Sequence, residues 1–120
     1  MAAPGPIPVL RADAFEGDRL ARPGTWAVAF VADWCPFCRR FQPIFETARG
    51  RGHFELAYGD VTDYESPLWE RFALDVVPTV IAFRDGAAIV RKNGRFARGL
   101  KAADVEQLIV ELRGAPGPGP

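Results

Sequence analysis

The two cysteines of this 120-residue chain stand three positions apart, in the segment Trp34-Cys35-Pro36-Phe37-Cys38. Two thiols at this spacing can close and open a small disulfide, and so exchange electrons with a disulfide of another molecule. The thiolate carries out this chemistry, and a helix N-terminus favours it because free N–H groups and the positive dipole end stabilise negative charge. We predict that Cys35 is the nucleophile and that Cys38, on the inner face of the first helical turn, is the resolving thiol.

The residues on either side of the cysteines predict a strand that leads into a helix. Residues 26–32 form an unbroken apolar run of strand length, which is typical of a strand buried on both faces. Beyond the first cysteine, apolar residues recur at helical spacing and predict a helix over residues 35–51. Pro43 lies inside this helix, where it lacks an N–H to donate, and predicts a kink.

Two charged residues are expected to tune the pKa of the Cys35 thiol. Arg39 lies one helical turn beyond Cys35 on the same face and should lower that pKa, whereas Asp33, just upstream, should raise it. We expect the net effect to be a lowering.

A structural disulfide or a zinc site is the alternative role for the two cysteines. A structural zinc site needs four ligands, but the chain has no second cysteine pair, and its single histidine, His53, stands in a glycine-flanked loop. We therefore expect redox chemistry, with no metal and no cofactor.

The composition indicates one globular domain without a charge-driven partner. The chain is 48% apolar, and its 15 basic and 15 acidic residues give a net charge of zero, so neither nucleic acid nor membrane is an expected partner. No secretory leader and no membrane-spanning segment are recognisable, which favours the cytoplasm. Residues 1–8 and the Pro/Gly-rich residues 115–120 are expected to be poorly ordered, leaving a domain over residues 9–114.

The remaining segments alternate between predicted strands and predicted helices. Strands are predicted at residues 9–10, 54–60, 80–83 and 87–90, and helices at 11–20, after Ser66, and up to Gly114; Phe15, Trp69 and Phe72 are expected in the core. The early strands joined by helices should be parallel, and Asp85-Gly86 predicts an antiparallel hairpin. The order β-α-β-α-β-α-β-β-α predicts an α/β fold, in which helices cover both faces of a mixed sheet of about five strands.

The chain resembles the thioredoxin family over nearly its whole length. The matching features are the Trp34–Cys38 motif after a buried strand, Pro43, Val77-Pro78-Thr79 before a strand, the Asp85-Gly86 hairpin, and the glycines Gly94 and Gly99. The resemblance implies a thioredoxin fold and protein-disulfide oxidoreductase activity. It also implies disulfide-containing proteins as substrates and a reductase as the electron donor.

The resemblance further implies which residues contact the substrate. The Val77–Pro78 bond should be cis, which leaves the carbonyl and N–H of Val77 free to pair with an extended substrate segment. The residues expected to bind substrate are Trp34, Pro36, Phe37, Val77 and Pro78.

Two departures from the family pattern keep other functions open. Ala29 and Leu56 are expected where the family carries a buried aspartate and its lysine partner, which predicts an apolar floor beneath the cysteines. Pro36-Phe37 replaces the usual Gly-Pro and is more common in glutaredoxins, so a glutathione-dependent enzyme is one alternative. However, no Gly-Gly-x-Asp-type pattern follows the last strands to hold glutathione. A non-catalytic binding module that uses the surface around Trp34 and Val77 is the other alternative.

Overall fold

A five-stranded mixed sheet forms the centre of the computed structural model, which describes residues 5–95 and 98–114. In chain order the elements are β1 (Val9–Leu10), a 3-10 turn (Ala12–Ala14), β2 (Phe15–Glu16), β3 (Arg19–Leu20), β4 (Thr25–Val31), α1 (Pro36–Glu46), β5 (Glu55–Asp60), α2 (Leu68–Arg71), β6 (Thr79–Arg84), β7 (Ala87–Asn93) and α3 (Ala102–Gly114). The predicted α/β class and the five-stranded sheet are confirmed.

The strand that leads to the cysteines lies at the middle of the sheet, whose order is β1-β5-β4-β6-β7. It is parallel to β5 and antiparallel to β6, and its residues from Ala27 to Val31 are buried. Because this strand is covered on both faces, its sequence is a continuous apolar run rather than an alternating one. The predicted hairpin around Asp85-Gly86 is also present, as the antiparallel pair β6 and β7.

Two apolar clusters cover the two faces of the sheet. One cluster contains Phe41 of α1 and Leu108 of α3 together with both cysteines. The other contains Phe72, which follows α2, and Phe15 and Leu20 of the β2–β3 hairpin. Helices therefore lie on both faces, as predicted, and the cysteines belong to the face covered by α1 and α3.

The predicted helix over residues 11–20 is wrong. This segment forms a 3-10 turn followed by a two-stranded hairpin, in which Phe15 pairs with Leu20. Gly17 lies in the hairpin turn with a φ of 60°, a conformation that glycine adopts without steric cost. Both Phe15 and Leu20 are buried, so packing under the sheet outweighs the weak local helical preference.

The helix predicted over residues 35–51 ends earlier, at Glu46. Thr47 turns its hydroxyl back to donate a hydrogen bond to the carbonyl oxygen of Ile44, at 2.6 Å, and a series of turns follows. A side chain that satisfies a late carbonyl of the helix in this way competes with continuation of the helix. Pro43 lies inside the helix, as predicted.

The ends of the chain are only partly described. The tail predicted at residues 115–120 lies outside the described residues, as do residues 1–4 of the N-terminal segment. Within the described ranges, no helix combines the length and the apolar character that crossing a bilayer requires.

Candidate dithiol site

Cys35 is the residue at which α1 begins. It is the N-cap of the helix, and its Sγ atom accepts a hydrogen bond from the backbone N–H of Cys38, at a distance of 3.2 Å. Pro36 occupies the first helical position, where the missing N–H of proline costs no helical hydrogen bond. The sulfur therefore lies at the positive end of the helix, within reach of a donor that stabilises a thiolate.

Cys38 lies deeper in the same cluster. Both cysteines are free thiols, with exposed fractions of 4% for Cys35 and 0% for Cys38. Burial, and then the hydrogen bond to Cys35, raises the pKa of the Cys38 thiol from its usual 9.0 to about 12. Cys38 therefore remains protonated over the whole neutral range, and ionising it is the costly part of any reaction that uses it.

The Val77–Pro78 segment faces Cys35. The bond between these residues is cis, as the resemblance implied, and the Cys35 thiol donates a hydrogen bond to the carbonyl oxygen of Val77 over 3.5 Å. Gly94, just after β7, lies against the back of this segment. A Cβ atom at that position would collide with the carbonyl oxygen of Pro78. The glycine therefore allows the close packing that holds Pro78 in place.

Trp34 forms one side of the site, within a stack of three aromatic rings. Its indole lies 5.0 Å from the ring of Tyr64 and 6.4 Å from that of Trp69, and the planes differ by only 14° and 11°. The indole N–H of Trp34 donates to the carbonyl oxygen of Thr62, and that of Trp69 to the carbonyl oxygen of Asp63. Two hydrogen bonds to one loop therefore fix the orientation of the stack.

Trp69 is placed differently from the sequence prediction. It was expected in the core with Phe72, but only Phe72 is buried there. Trp69 is half-buried. Part of its side chain packs on the second apolar cluster, and the rest borders the dithiol site beside Trp34.

The other residues of the motif lie around the first turn of α1. Phe37 is half-buried against the cysteine-containing cluster, and the backbone of Gly99 packs against it. Pro36 is exposed, and the guanidinium of Arg40 lies 5.6 Å from the centre of the Phe37 ring.

Arg39 and Asp33, expected to tune the Cys35 pKa, are both exposed. The backbone N–H of Arg39 donates to the carbonyl oxygen of Cys35, and the backbone N–H of Asp33 donates to the hydroxyl of Thr62. Among the hydrogen bonds and ion pairs of the described residues, none joins either side chain to the sulfur. Their electrostatic role stays a prediction.

A groove of about 280 Å³ runs beside Cys35. Its lining includes Trp34, Cys35, Phe37, Trp69, Val76 and Arg95. The contributions of Val76 and Arg95 to this groove were not predicted, because no sequence motif marks these two residues. A larger cavity, of about 630 Å³, is lined by Arg51, His53 and other residues but by neither cysteine. In the part of the chain that the structure describes, no three His, Cys, Asp or Glu side chains gather as metal ligands would.

The floor beneath the cysteines differs from the prediction in one residue. Ala29 is fully buried there, but its partner on β5 is Tyr58, whereas Leu56 pairs with Ala27. The Tyr58 hydroxyl donates a 2.6 Å hydrogen bond to the carboxylate of Glu46 at the end of α1. Burial, the Glu46 hydrogen bond and the Glu46 charge together raise the pKa of Tyr58. On the β5 side, the residue next to Ala29 is therefore a neutral tyrosine rather than an aliphatic side chain.

Known proteins resemble this chain in both sequence and fold. A thioredoxin domain-containing protein of Theileria parva is 34% identical over 76 residues, which cover 62% of this chain and 34% of that protein. Protein disulfide-isomerase A3 of Gallus gallus is 36% identical over 74 residues, covering 60% of this chain and 14% of that protein. The chain thus spans about a third of the Theileria protein and much less of the isomerase.

The solved structures extend the similarity of the fold to nearly the whole chain. A mutant thioredoxin from Halobacterium salinarum has a TM-score of 0.69 at 24% identity and covers 98% of this chain and 99% of its own. Thioredoxin of Malassezia sympodialis has a TM-score of 0.67 at 19% identity, with coverages of 92% and 94%. At these identities the structural matches support the fold alone.

The family model described as Thioredoxin matches residues 7–108, which include the dithiol motif, the cis-proline segment and most of α3. This chain therefore belongs to the thioredoxin family.

Proposed function

We propose that the protein is a thiol-disulfide oxidoreductase that acts on disulfides of other proteins, with Cys35 as nucleophile and Cys38 as resolving thiol. The observation that carries the proposal is the position of the Cys35 sulfur. It lies at the start of α1, accepts a hydrogen bond from the Cys38 N–H, and borders an open groove. The family membership supports thiol-disulfide chemistry in general.

The proposed reaction transfers two electrons to the substrate in two exchange steps. The Cys35 thiolate attacks one sulfur of the substrate disulfide, the substrate S–S bond breaks, and the departing substrate sulfur takes a proton. Cys38 then loses its proton and attacks the Cys35 sulfur, which releases the second substrate thiol and leaves a Cys35–Cys38 disulfide. A reductase, as electron donor, returns this disulfide to the dithiol.

The Val77–Pro78 segment is proposed to align the substrate. In the dithiol state, the Val77 carbonyl accepts the hydrogen bond of the Cys35 thiol, so this backbone group lies where an extended segment bound to Cys35 would pass. Main-chain pairing of this kind accommodates many sequences, because it uses only the backbone of the substrate. Trp34 and Phe37 would then flank the bound segment.

An insulin-reduction assay run with two electron donors tests this function. The protein would be supplied with thioredoxin reductase and NADPH in one series and with glutathione, glutathione reductase and NADPH in the other. We expect catalytic reduction in the first series and little in the second. Faster turnover with glutathione would favour the glutaredoxin-like alternative, and absence of turnover in both would favour a binding module.

The matched control is a Cys35→Ser variant. It removes the proposed nucleophile and exchanges a sulfur atom for an oxygen at an otherwise unchanged position. It should abolish reduction in the first series. Insulin reduction that persists in this variant would contradict the assignment of Cys35.

A further inference from the structure

The aromatic stack gives the groove a rigid apolar side. Trp34 stacks on Trp69, and both indole N–H groups are bound to backbone carbonyls, so neither ring can turn to expose a donor to a ligand. Phe37 and Val76 add further apolar surface. The volume of about 280 Å³ lies just below the range of about 300–1,000 Å³ that is typical of small-molecule sites. Such a groove suits one large side chain of a polypeptide better than a whole cofactor.

The groove has one acidic and one basic lining residue, Asp75 and Arg95. Arg95 lies at the groove, but its guanidinium is paired with the carboxylate of Asp104, at 3.3 Å. Asp75 also lines the groove, is exposed, and has no ion-pair partner among the described residues. Asp75 therefore leaves an unpaired negative charge on its side of the groove.

The segment that builds this side of the groove is itself acidic. Residues 61–76 carry four acidic residues and one basic residue, a net charge of −3, although the whole chain is neutral. The cations Arg39 and Arg40 are exposed on α1 and do not line the groove, although the guanidinium of Arg40 lies 5.6 Å from the centre of the Phe37 ring. A bound segment would therefore meet negative charge on the side of Trp69 and Asp75.

From these observations we propose that the groove selects protein disulfides whose cysteine is flanked by an aromatic or large aliphatic residue and by a lysine or arginine. The apolar residue would pack against Trp34 and Trp69, and the cation would lie near Asp75. This proposal rests on the function proposed above and specifies its substrate class. Glutathione disulfide, which carries several carboxylates and no aromatic group, is disfavoured by the same charge.

Matched peptide disulfides test the preference. The probes are the symmetrical disulfides of the blocked tripeptides Trp-Cys-Lys, Ala-Cys-Lys and Trp-Cys-Glu, each reduced by an excess of the dithiol protein in single turnover. Because an aromatic contact is a modest interaction, we expect Trp-Cys-Lys to react about threefold to tenfold faster than Ala-Cys-Lys. The Trp-Cys-Lys disulfide should also be reduced about twofold to fivefold faster than the Trp-Cys-Glu disulfide at low salt, since an exposed charge pair is weak. This second difference in rate should shrink in 1 M salt.

Two variants connect each preference to its residue. Trp69→Ala should reduce the ratio between the Trp and Ala probes towards one. Asp75→Lys should reverse the ratio between the Lys and Glu probes. Asp75 is exposed, so this second variant tests the proposal even where Trp69→Ala fails to fold. Glu55→Gln is the matched control and should keep both ratios. Glu55 lies at the start of β5, at the end of the strands away from the cysteines.

The two proposals fail in different ways. Equal rates for all three peptides, with hydroxyethyl disulfide also reduced, would overturn the substrate preference and leave the oxidoreductase function in place. No reduction of any probe, including hydroxyethyl disulfide, would overturn the function itself. Ratios that persist unchanged in both Trp69→Ala and Asp75→Lys would show that other residues select the substrate.

Discussion

The thiol of Cys35 donates a hydrogen bond to the carbonyl oxygen of Val77, although 42 positions separate the two residues in the chain. Cys35 begins α1 after the central strand, whereas Val77 immediately precedes Pro78 and β6, the antiparallel neighbour of that strand. The sheet therefore brings together, from two adjacent strands, the proposed nucleophile and the backbone proposed to align the substrate. In the proposed reaction, a substrate that engages Cys35 would also contact Val77.

The first prediction concerns the division of labour between the cysteines. Cys38→Ser should accumulate mixed disulfides between Cys35 and substrate proteins, because the thiol that resolves them is gone. Cys35→Ser should accumulate few, because Cys38 is fully buried and its pKa is raised to about 12. Non-reducing electrophoresis followed by mass spectrometry measures both, with a variant lacking both cysteines as control. Equal trapping by the two single variants would contradict the assignment.

The second prediction follows from the raised pKa of Cys38. In the unfolded chain this thiol should ionise near its usual pKa of 9.0, but in the folded dithiol form only near about 12. Between these values the unfolded state holds fewer protons, so the free energy of unfolding should fall as pH rises from about 9 towards about 12. Below pH 9 the contribution of the protonated Cys38 thiol to the free energy of unfolding is fully present.

Urea melts of the reduced protein and of Cys38→Ala measure this effect. Other groups also ionise in alkali, but those that do not contact Cys38 contribute equally to both proteins and cancel in the difference. The stability advantage of the wild type over the variant should therefore shrink above pH 9. A difference that stays constant with pH would show that the folded protein does not hold this thiol protonated.

The third prediction concerns the contact between Gly94 and Pro78. Gly94→Ala adds a methyl group that would collide with the Pro78 carbonyl oxygen, so the backbone must move. Overpacking of this kind typically costs about 1–3 kcal/mol, and the movement should also lower kcat/KM for insulin, because it displaces the segment beside Cys35. Gly5→Ala is the control, because a Cβ there has open space. Equal stability and activity of the two variants would show that the contact is dispensable.

The sequence was sufficient to predict the central strand, the hairpin of β6 and β7 and the position of Cys35 at the start of α1. The continuous apolar run before Cys35 identified the buried strand, and Asp85-Gly86 identified the terminal hairpin. These signals are local, because strand burial and turn conformation depend on neighbouring residues. The helix expected over residues 11–20 failed because Phe15 packs against Phe30 and Phe72, far away in the chain, and such contacts leave no local pattern.

The partner of Ala29 could not be predicted for a related reason. Tyr58 and Leu56 lie two residues apart on β5, so their side chains point to the same face of the sheet. A shift of two residues in register preserves the alternation of faces, and the apolar pattern cannot distinguish the two alignments.

The position of Trp69 was also missed. Trp69 lies between Leu68 and Phe72, whose four-residue spacing is typical of a helix that faces a core. Only its contact with Trp34 shows that it borders the groove.

The last prediction concerns the floor formed by Ala29. In the proposed reaction Cys38 must lose its proton to release the substrate, and its burial opposes this step. The neighbours of Ala29 on the adjoining strands are Tyr58 and Val80, and the Tyr58 hydroxyl is already bound to Glu46. Neither side chain is a base at neutral pH. Resolution of the mixed disulfide should therefore be slow near neutral pH and accelerate as pH rises.

An Ala29→Asp substitution places a carboxylate on this floor and should accelerate resolution, because a general base typically contributes about 10²–10⁴-fold. Burial should raise the folded pKa of the new aspartate above its unfolded value, so its cost in stability is absent in acid and grows as pH climbs between the two. Single-turnover release of the substrate and urea melts across pH measure the two effects.

Two further variants serve as controls. Ala29→Asn, of equal size but without a charge, should not accelerate release, and Tyr58→Phe tests whether the Tyr58–Glu46 pair takes part. If Ala29→Asp leaves the rate unchanged while Tyr58→Phe slows it, the proton leaves through Tyr58 and Glu46, and the floor is not the limiting feature.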